Sequence, residues 1–474
     1  MRIVRRARCA IFAVALSGAL FTANARAELP TRPAVVGADV IAVEVGTAGA
    51  FAPAAWDDLA KTARVPGTYT LRLKIAGTAP EAIELPVCAG RGKIALDGVA
   101  VPGVVAGPVI VRVGAARELT MEVAVSGYEK RIACGAPPRA GAVRQTREGL
   151  SVLGFPSPSA AAGGGRAVVF FPPGHDASRA GPLLVGAHPW NGGIWTYAAY
   201  AELLREATLR DVVLLMPSGL GNSLYTAAAE TEVLRAIDAL TAQMAIDPRR
   251  VSLWGASMGG AGATTIGLHH PDKFAMLTSF FGDSRYDVST YVRSILADEA
   301  AAHLVNGLDV VDNARHVPIW LVHGEDDHTS PITQSSMLAR ALTERHYAVR
   351  FDRVPHAGHE GTLVGKFGAE MVARAAEARV PEHPARVTFK SVRASDTEAY
   401  GIRIVRSGGD AQVEVERRAD GVHVLRATGV RAIGLARGAL GSPEGTPIVL
   451  DAPLRGLDVH WDVADAGAGI TNPP

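Results

Sequence analysis

The ten residues VSLWGASMGG, at positions 251–260, decide the fold class of this 474-residue chain. An apolar run of strand length leads into Gly255, and a stretch of small residues suited to a helix follows Ser257. The pattern G-x-S-x-G in this context predicts a sharp strand-to-helix turn with Ser257 at its tip. A serine held there, at the start of a helix whose free N–H groups face it, suits a nucleophile that generates an oxyanion.

Outward from this turn, short apolar runs alternate with helix-like stretches. The predicted strands are residues 167–171, 183–187, 212–216, 251–254 and 319–322, and the predicted helices include 197–209, 228–244 and 260–268. Strands that are apolar on both faces and separated by helices are typical of a parallel sheet covered on both sides. The sequence therefore predicts an α/β core with a mostly parallel sheet.

A serine hydroxyl is a weak nucleophile at neutral pH and needs a base that is held by an acid. Two loops downstream of Ser257 supply such groups in the order serine, acid, histidine. Asp327 follows a predicted strand and is the expected acid, with its neighbour Asp326 as the alternative. His359 lies in a later loop, after Gly358, and is the expected base, with His356 as the alternative.

The oxyanion formed by attack on a carbonyl needs two N–H donors. The backbone N–H of Met258, directly after the nucleophile, is the first expected donor. The second should come from the loop after the predicted strand 183–187, where Pro189 has no N–H to give. Trp190 is therefore the expected second donor and Asn191 the runner-up, while the alternative is a plain glycine turn beside a core tryptophan.

These motifs together resemble the prolyl-oligopeptidase-like and esterase branch of the α/β-hydrolases. The resemblance runs from about Ala167 to Leu363, and its most specific stretches are IDPRRVSLWGASMGG at 246–260 and VPIWLVHG at 317–324. It implies an α/β-hydrolase core that works without a cofactor or a metal ion. It also implies that Asp247 and Arg250 tie a helix end to the nucleophile strand.

Outside this core the hydrophobic period changes to two, as in antiparallel sheets with one solvated face. Alternating residues at 69–75 and 119–125 predict an N-terminal β-sandwich-like module, and alternation after about residue 380 predicts a C-terminal one. The chain is therefore predicted to consist of a signal peptide at 1–27, an N-terminal β module at 28–142, an α/β-hydrolase catalytic domain at 143–380 and a C-terminal β module at 381–474.

The first residues have the composition of an export signal. Four arginines precede an apolar stretch at 9–21, and Ala25-Arg26-Ala27 has the small-x-small pattern of a cleavage site. We expect a periplasmic or extracellular protein without stable membrane insertion after cleavage; the alternative is an uncleaved anchor. Removal of the signal peptide takes Cys9 away and leaves Cys88 and Cys134 in the mature protein. These two cysteines either form a disulfide or remain separate buried thiols, and the sequence leaves both alternatives open.

The charge balance and the motif inventory limit the classes of partner. With 48 basic and 47 acidic residues and no basic run beyond the N-terminus, the chain lacks a nucleic-acid footprint. His323, Asp326, Asp327 and His328 cluster in one loop, but adjacent residues seldom converge on one ion, and no H-E-x-x-H helix is present. We therefore expect no metal and no cofactor.

The sequence thus predicts an exported serine hydrolase that cleaves a carboxylic ester bond through an acyl-enzyme. The alternatives are a prolyl-oligopeptidase-like serine peptidase and, in another class, a catalytically inactive binding protein. The substrate is a small-molecule or polymeric ester or a peptide. The acyl and leaving-group specificity and the oligomeric state stay open at this point.

Overall fold

The computed structural model describes residues 31–462 except 41, 48, 76–79, 103–105, 128, 161–163, 289–291, 293–295, 297 and 455. The predicted signal peptide lies outside the described residues. In the described part of the chain, no helix combines the length and apolar character needed to cross a membrane.

The N-terminal part folds into two antiparallel sheets. Its strands are β1 (Arg32–Asp39), β2 (Ala42–Thr47), β3 (Ala50–Ala55), β4 (Gly67–Lys74), β5 (Ala82–Leu85), β6 (Arg91–Leu96), β7 (Val99–Ala100), β8 (Val109–Arg112), β9 (Glu118–Val125) and β10 (Arg139–Thr146), with a 3₁₀ helix at Trp56–Asp58. The strand orders are β1-β10-β5-β8 and β3-β2-β4-β9-β6-β7. Both sheets contribute to one apolar cluster, in which Leu71 and Leu73 of β4 lie opposite Met121 and Leu119 of β9.

Two features tie this part together near its end. Cys88 and Cys134 form a disulfide, so the pairing that the sequence left open is present. Strand β10 pairs with β1 up to Thr146, four residues beyond the predicted boundary at 142.

The middle of the chain forms the α/β core. Its strands are β11 (Gly149–Phe155), β12 (Gly165–Phe171), β13 (Gly181–Ala187), β14 (Val213–Pro217), β15 (Ile246–Ala256), β16 (Leu277–Phe280), β17 (Ile319–Gly324) and β18 (Val349–Val354). Its helices are α1 (Ala201–Leu209), α2 (Ala228–Thr241), α3 (Met258–His269), α4 (Glu299–His303), α5 (Thr333–Glu344) and α6 (Thr362–Glu377), with 3₁₀ helices at Thr196–Ala199 and Gly307–His316.

Among the described residues these strands form one eight-stranded sheet in the order β11-β12-β14-β13-β15-β16-β17-β18. The pairs from β14 through β13 to β18 are parallel, whereas β12 runs antiparallel to β11 and β14. The predicted mostly parallel sheet is confirmed, with the run 167–171 in its antiparallel part. β13 is buried along its whole length, because apolar clusters cover the sheet on both faces.

The predicted helix at 197–209 is divided in the structure. A 3₁₀ helix covers Thr196–Ala199, Tyr200 has an extended backbone, and α1 begins at Ala201. The first segment is held by tertiary contacts of Tyr197, described below, rather than by a continuous helical ladder. Local helix pattern alone does not reveal such a break.

The C-terminal part again folds into two sheets. Its elements are β19 (Arg386–Ser391), β20 (Glu398–Ala399), β21 (Ile402–Arg406), β22 (Ala411–Arg418), β23 (Gly421–Thr428), β24 (Val430–Leu435), α7 (Arg437–Leu440), β25 (Ile448–Leu450) and β26 (Asp458–Trp461), with a 3₁₀ helix at Ala452–Leu454. The strand orders are β19-β22-β23-β25 and β20-β21-β24-β26. Their inward side chains share one apolar cluster.

The C-terminal part contacts the edge of the core sheet at which the parallel strands begin. The Val380 N–H donates to the carbonyl of Arg249 in the first half of β15, at 2.8 Å. Arg315, just before β17, pairs with Glu414 at 2.8 Å. The opposite edge, where the parallel strands end, is the edge at which α/β sheets place their ligands.

Candidate active site

Ser257 lies where β15 ends and α3 begins, with the left-handed φ of 56°. Non-glycine residues adopt this conformation at a cost, and such strain often marks functional sites. The turn closes tightly on its neighbours: a Cβ on Gly259 would lie 1.9 Å from the carbonyl oxygen of Ala187, and one on Gly255 would lie 2.5 Å from it. The small residues of the motif therefore let the turn pack directly against the end of β13.

His359 lies between Ser257, which follows β15, and Asp327, which follows β17; β16 separates these two parallel strands in the sheet. Nε2 of His359 is 2.7 Å from the Ser257 hydroxyl oxygen, and its Nδ1 is 2.8 Å from Oδ2 of Asp327. In this arrangement the serine hydroxyl donates to Nε2 and the Nδ1–H donates to the carboxylate. The edge of the Phe281 ring packs on the imidazole, with 4.7 Å between ring centroids. The structure thus brings together the three residues predicted from sequence.

The Asp327 carboxylate is buried, but it is well supplied with donors. Its Oδ1 accepts the backbone N–H groups of Thr329 and Ser330, both at 2.9 Å, and Nε2 of His323 lies 3.3 Å from its Oδ2. Burial by itself would raise the pKa of this carboxyl. The hydrogen bonds from His323, His359 and the Ser330 amide outweigh burial and hold the pKa of Asp327 well below its ordinary value.

The alternative acid and base lie elsewhere. Asp326 and His356 are 61% and 95% exposed, and their side chains face each other at 3.8 Å. Within the described part of the chain, the hydrogen bonds of Ser257 and His359 involve neither of them. The geometry therefore separates the adjacent aspartates, which sequence position alone could not do.

The expected oxyanion donors lie at the start of α3 and in the turn after β13. Met258 is the first residue of α3, so its N–H is one of those for which the helix supplies no acceptor. Trp190 lies in the turn that follows β13. The N–H of Asn191, the runner-up, donates to Oδ1 of Asn222 at 2.7 Å, so it already has an acceptor.

Tyr197 and His323 complete the surroundings of the site, and sequence reasoning missed both. The Tyr197 hydroxyl donates to the carbonyl of Ala187 at 2.7 Å and accepts from the N–H of Ala256 at 2.9 Å. Tyr197 fell inside a predicted helix, and no motif marked it. In the sequence His323 belongs to a loop cluster of possible metal ligands, but its place at the end of an apolar run, four residues before Asp327, is the signal that indicates its role.

Two further features concern metal-binding side chains and the first half of the nucleophile strand. His, Cys, Asp and Glu side chains there form no group of three or more able to hold a metal ion. Asp247 and Arg250 tie the nucleophile strand to the region at the end of α6, not to the end of the preceding helix α2. Asp247 pairs with Arg379 at 2.9 Å, and Arg250 donates to the carbonyl of Ala376, because the end of α6 packs beside the start of β15.

Comparison with known proteins gives a family match to the segment that carries this geometry. The sequence model of the prolyl oligopeptidase family matches residues 223–377, about a third of the chain, including Ser257, Asp327 and His359. A comparison with curated protein sequences gives no match.

Solved structures with a similar fold include three hydrolases. An S-formylglutathione hydrolase from Agrobacterium tumefaciens is 18% identical, with 49% of this chain and 95% of that chain covered and a TM-score of 0.43. A thermostable esterase is 14% identical, with 66% and 95% covered and a TM-score of 0.41. An acylaminoacyl peptidase from Pyrococcus horikoshii is 16% identical, with 48% and 40% covered and a TM-score of 0.39. At these values the likenesses assign no activity to this chain.

The core of this chain is an α/β-hydrolase fold, as its resemblance to that superfamily predicted. Residues 223–377, which contain Ser257, Asp327 and His359, are similar to the prolyl oligopeptidase family of serine hydrolases.

Proposed function

We propose that this protein hydrolyses carboxylic esters, with Ser257 as nucleophile, His359 as general base and Asp327 as the acid that orients it. The observation that carries the proposal is the continuous line of hydrogen bonds from the Ser257 hydroxyl through both nitrogens of His359 to Asp327. This arrangement makes a serine nucleophilic at neutral pH.

The proposed reaction runs in two halves. The Ser257 oxygen attacks the ester carbonyl while Nε2 of His359 takes the hydroxyl proton, and the resulting oxyanion accepts hydrogen bonds from the N–H groups of Met258 and Trp190. Collapse expels the alcohol, which receives the proton from His359, and leaves an acyl-serine. Water then attacks the acyl-serine with the same assistance, which releases the acid. Asp327 remains ionised throughout and stabilises the imidazolium.

Peptide hydrolysis is the second candidate, because the family match is to prolyl oligopeptidases. The same residues serve both reactions, so the choice rests on what surrounds them. Before the core, the described chain has antiparallel sheets of four and six strands around one cluster, not the propeller of a size-gated oligopeptidase. This favours ester substrates, small or polymeric, over peptides.

The proposed nucleophile is tested with a fluorophosphonate probe and with p-nitrophenyl acetate. Wild-type protein should be labelled and should turn over, and Ser257→Ala should lose labelling and on the order of 10⁶ in kcat. Ser252→Ala is the matched control, since the buried Ser252 hydroxyl on the same strand has no hydrogen-bond partner among the described residues. A folded wild type that neither labels nor turns over would instead favour an inactive binding protein.

Ester and peptide hydrolysis are separated with matched substrates. An N-acyl amino acid p-nitrophenyl ester and the corresponding p-nitroanilide share the acyl group and differ in the scissile bond. On the ester proposal, kcat/KM for activated and unactivated esters exceeds that for every peptide in a proline and alanine series. Efficient cleavage of unactivated peptides would replace the ester assignment with the peptidase.

We also propose that the protein is exported, with residues 1–27 removed. The arginines at the start of the chain, the apolar stretch at 9–21 and the cleavage pattern support this. The Cys88–Cys134 disulfide also supports it, since disulfides persist in oxidising compartments. Expression of the full chain, followed by fractionation and N-terminal sequencing, should find a mature protein that begins at Glu28. An intact N-terminus in the cytoplasmic fraction would contradict export.

We further propose that the regions 28–142 and 381–474 are β-sandwich-like modules that flank the catalytic domain 143–380. Two sheets around a shared apolar cluster in each region support this. Limited proteolysis should cut preferentially near the module boundaries. Cleavage mainly inside the sheets would argue against separate modules.

A further inference from the structure

The Tyr197 hydroxyl connects the ends of two adjacent core strands. It donates to the carbonyl of Ala187, the last residue of β13, and accepts from the N–H of Ala256, the last residue of β15. The register of the pair places Ala187 opposite Gly255, so this hydroxyl bridges the strands at the point where both leave the sheet.

Both ends lead directly into the site. Ala256 precedes Ser257, and Ala187 precedes the loop that carries Trp190. A carbonyl or amide that shifts at either strand end changes the distance between the nucleophile and the second expected oxyanion donor. Hydrolytic rates are sensitive to such spacing, because a displacement of about 1 Å can cost on the order of 10²-fold.

The Tyr197 ring is held rigidly. It packs on Trp254 with 4.1 Å between ring centroids, and a Cβ on Gly186 would lie 3.1 Å from it. Burial raises the pKa of the Tyr197 phenol well above its ordinary value, so the hydroxyl keeps its proton and remains a donor at neutral pH.

The N-terminal part of the chain packs on the short 3₁₀ helix that carries Tyr197. Val87 forms a small apolar cluster with Ala198 and Ala199 of this helix. A Cβ on Gly135 would lie 2.9 Å from the carbonyl oxygen of Ala198, and one on Gly107 would lie 3.0 Å from the ring of Trp195. Three N-terminal segments therefore approach the residues on either side of Tyr197.

The disulfide joins two of these segments. Cys88 follows Val87 and Cys134 precedes Gly135, and the Gly135 N–H also donates to the Val87 carbonyl at 2.8 Å. The bond and the hydrogen bond together make one contact surface out of two distant stretches of chain, and that surface lies against Ala198.

We propose that Tyr197 is a positioning residue for the hydrolytic reaction, holding the nucleophile turn and the oxyanion loop at their working separation. The N-terminal part, through Val87 and Gly135, braces it in place. The inference rests on the proposed function of Ser257. It gives the N-terminal module a part in positioning the catalytic residues.

The first test is Tyr197→Phe, with Tyr286→Phe as its matched control. Tyr286 is also a buried tyrosine, and its hydroxyl bonds the carbonyl of Leu224 at 3.1 Å. Both variants should lower the thermal midpoint, because each leaves a buried group unpaired. Only Tyr197→Phe should lower kcat for p-nitrophenyl acetate, by about ten- to a hundred-fold, with KM nearly unchanged.

Hydrogen–deuterium exchange gives a readout that does not depend on turnover. The Ala256 amide loses its acceptor in Tyr197→Phe, so the peptide that covers residues 253–258 should exchange faster than in wild type, and in Tyr286→Phe it should not. The inference would be overturned by equal kcat losses in both variants. It would also be overturned if the peptide 253–258 exchanged at the wild-type rate in Tyr197→Phe. A wild type without turnover would count against the proposed function, while exchange still reports on the bridge.

The contact of Gly135 with the 3₁₀ helix that carries Tyr197 is tested with Gly135→Ala. The added Cβ pushes on the Ala198 carbonyl, so kcat should fall although the substitution is more than 100 residues from Ser257 in sequence. Gly127→Ala in the same part of the chain adds its Cβ into open space and should leave kcat at the wild-type value. Wild-type kcat in a folded Gly135→Ala protein would remove the N-terminal part from the mechanism.

Discussion

Asp326 and Asp327 are adjacent carboxylates with opposite surroundings, one exposed beside His356 and the other buried against His359. On the proposed mechanism Asp327 holds the imidazole in the tautomer that accepts the serine proton, so Asp327→Asn should lower kcat on the order of 10⁴-fold. Asp326→Asn, the matched control, should retain wild-type kcat with p-nitrophenyl acetate. The opposite ranking would make Asp326 the acid.

The lowered pKa of Asp327 also predicts a pH dependence of stability. The carboxyl ionises in the folded state below its unfolded pKa of about 3.9. The contribution of the ionised carboxylate to the free energy of unfolding is therefore fully present above about pH 5. It is lost as the pH falls from there, through the unfolded pKa, towards the folded pKa. The difference in free energy of unfolding between wild type and Asp327→Asn should shrink from pH 7 to pH 3.5 in urea titrations; a constant difference would contradict the assignment.

At the scale of elements, the strand–turn–helix unit around Ser257 depends on the absence of a side chain at Gly259. A Cβ there would lie 1.9 Å from the backbone oxygen of Ala187, and backbone cannot move aside as a flexible side chain would. Gly259→Ala should therefore destabilise the protein by about 1–3 kcal/mol and reduce fluorophosphonate labelling. The labelling rate and the thermal midpoint measure the two effects.

Gly365 on α6 is the matched position for this substitution. A Cβ there meets nothing within 4 Å, and alanine is the better helix former by about 1 kcal/mol. Gly365→Ala should label at the wild-type rate and be as stable as wild type or more so. Equal labelling of Gly259→Ala would show that the turn tolerates a side chain.

At the scale of the whole molecule, a buried charge network attaches the C-terminal part to the core. Arg393 bonds Glu230 of α2 at 2.8 Å and Asp396 at 2.6 Å, and Asp396 pairs with His269 at the end of α3. Arg393→Met would remove the guanidinium from both buried carboxylates and leave His270 on Glu230 and His269 on Asp396. It should destabilise the protein by up to about 3–5 kcal/mol. Denaturant unfolding followed by circular dichroism measures the loss.

An exposed ion pair supplies the control for this network. Arg340 and Glu344 on α5 are 81% and 57% exposed, and such pairs contribute at most about 1 kcal/mol. Arg340→Met should therefore change the free energy of unfolding little. If Arg393→Met were equally mild, the network would not hold the C-terminal part to the core.

The distribution of the flanking parts over the two edges of the core sheet also belongs to this scale. The C-terminal part contacts Arg249 in the first half of β15 and Arg315 before β17, whereas the N-terminal part contacts the 3₁₀ helix beside the ends of β13 and β15. Hydrophobic period predicted sheets in both parts, but their docking sites depend on shape complementarity between residues far apart in sequence.

The sequence by itself determined the α/β core, the strand–turn–helix unit at Ser257, and the order of serine, acid and histidine. These features are local: periodicity reports which faces of an element are buried, and a G-x-S-x-G turn needs small residues at fixed positions. Only the tertiary structure decided which aspartate meets His359, that Cys88 lies against Cys134, and that Tyr197 bridges two strand ends. Each of these is a contact between distant stretches of chain, and it exists only once packing of the whole molecule has brought them together.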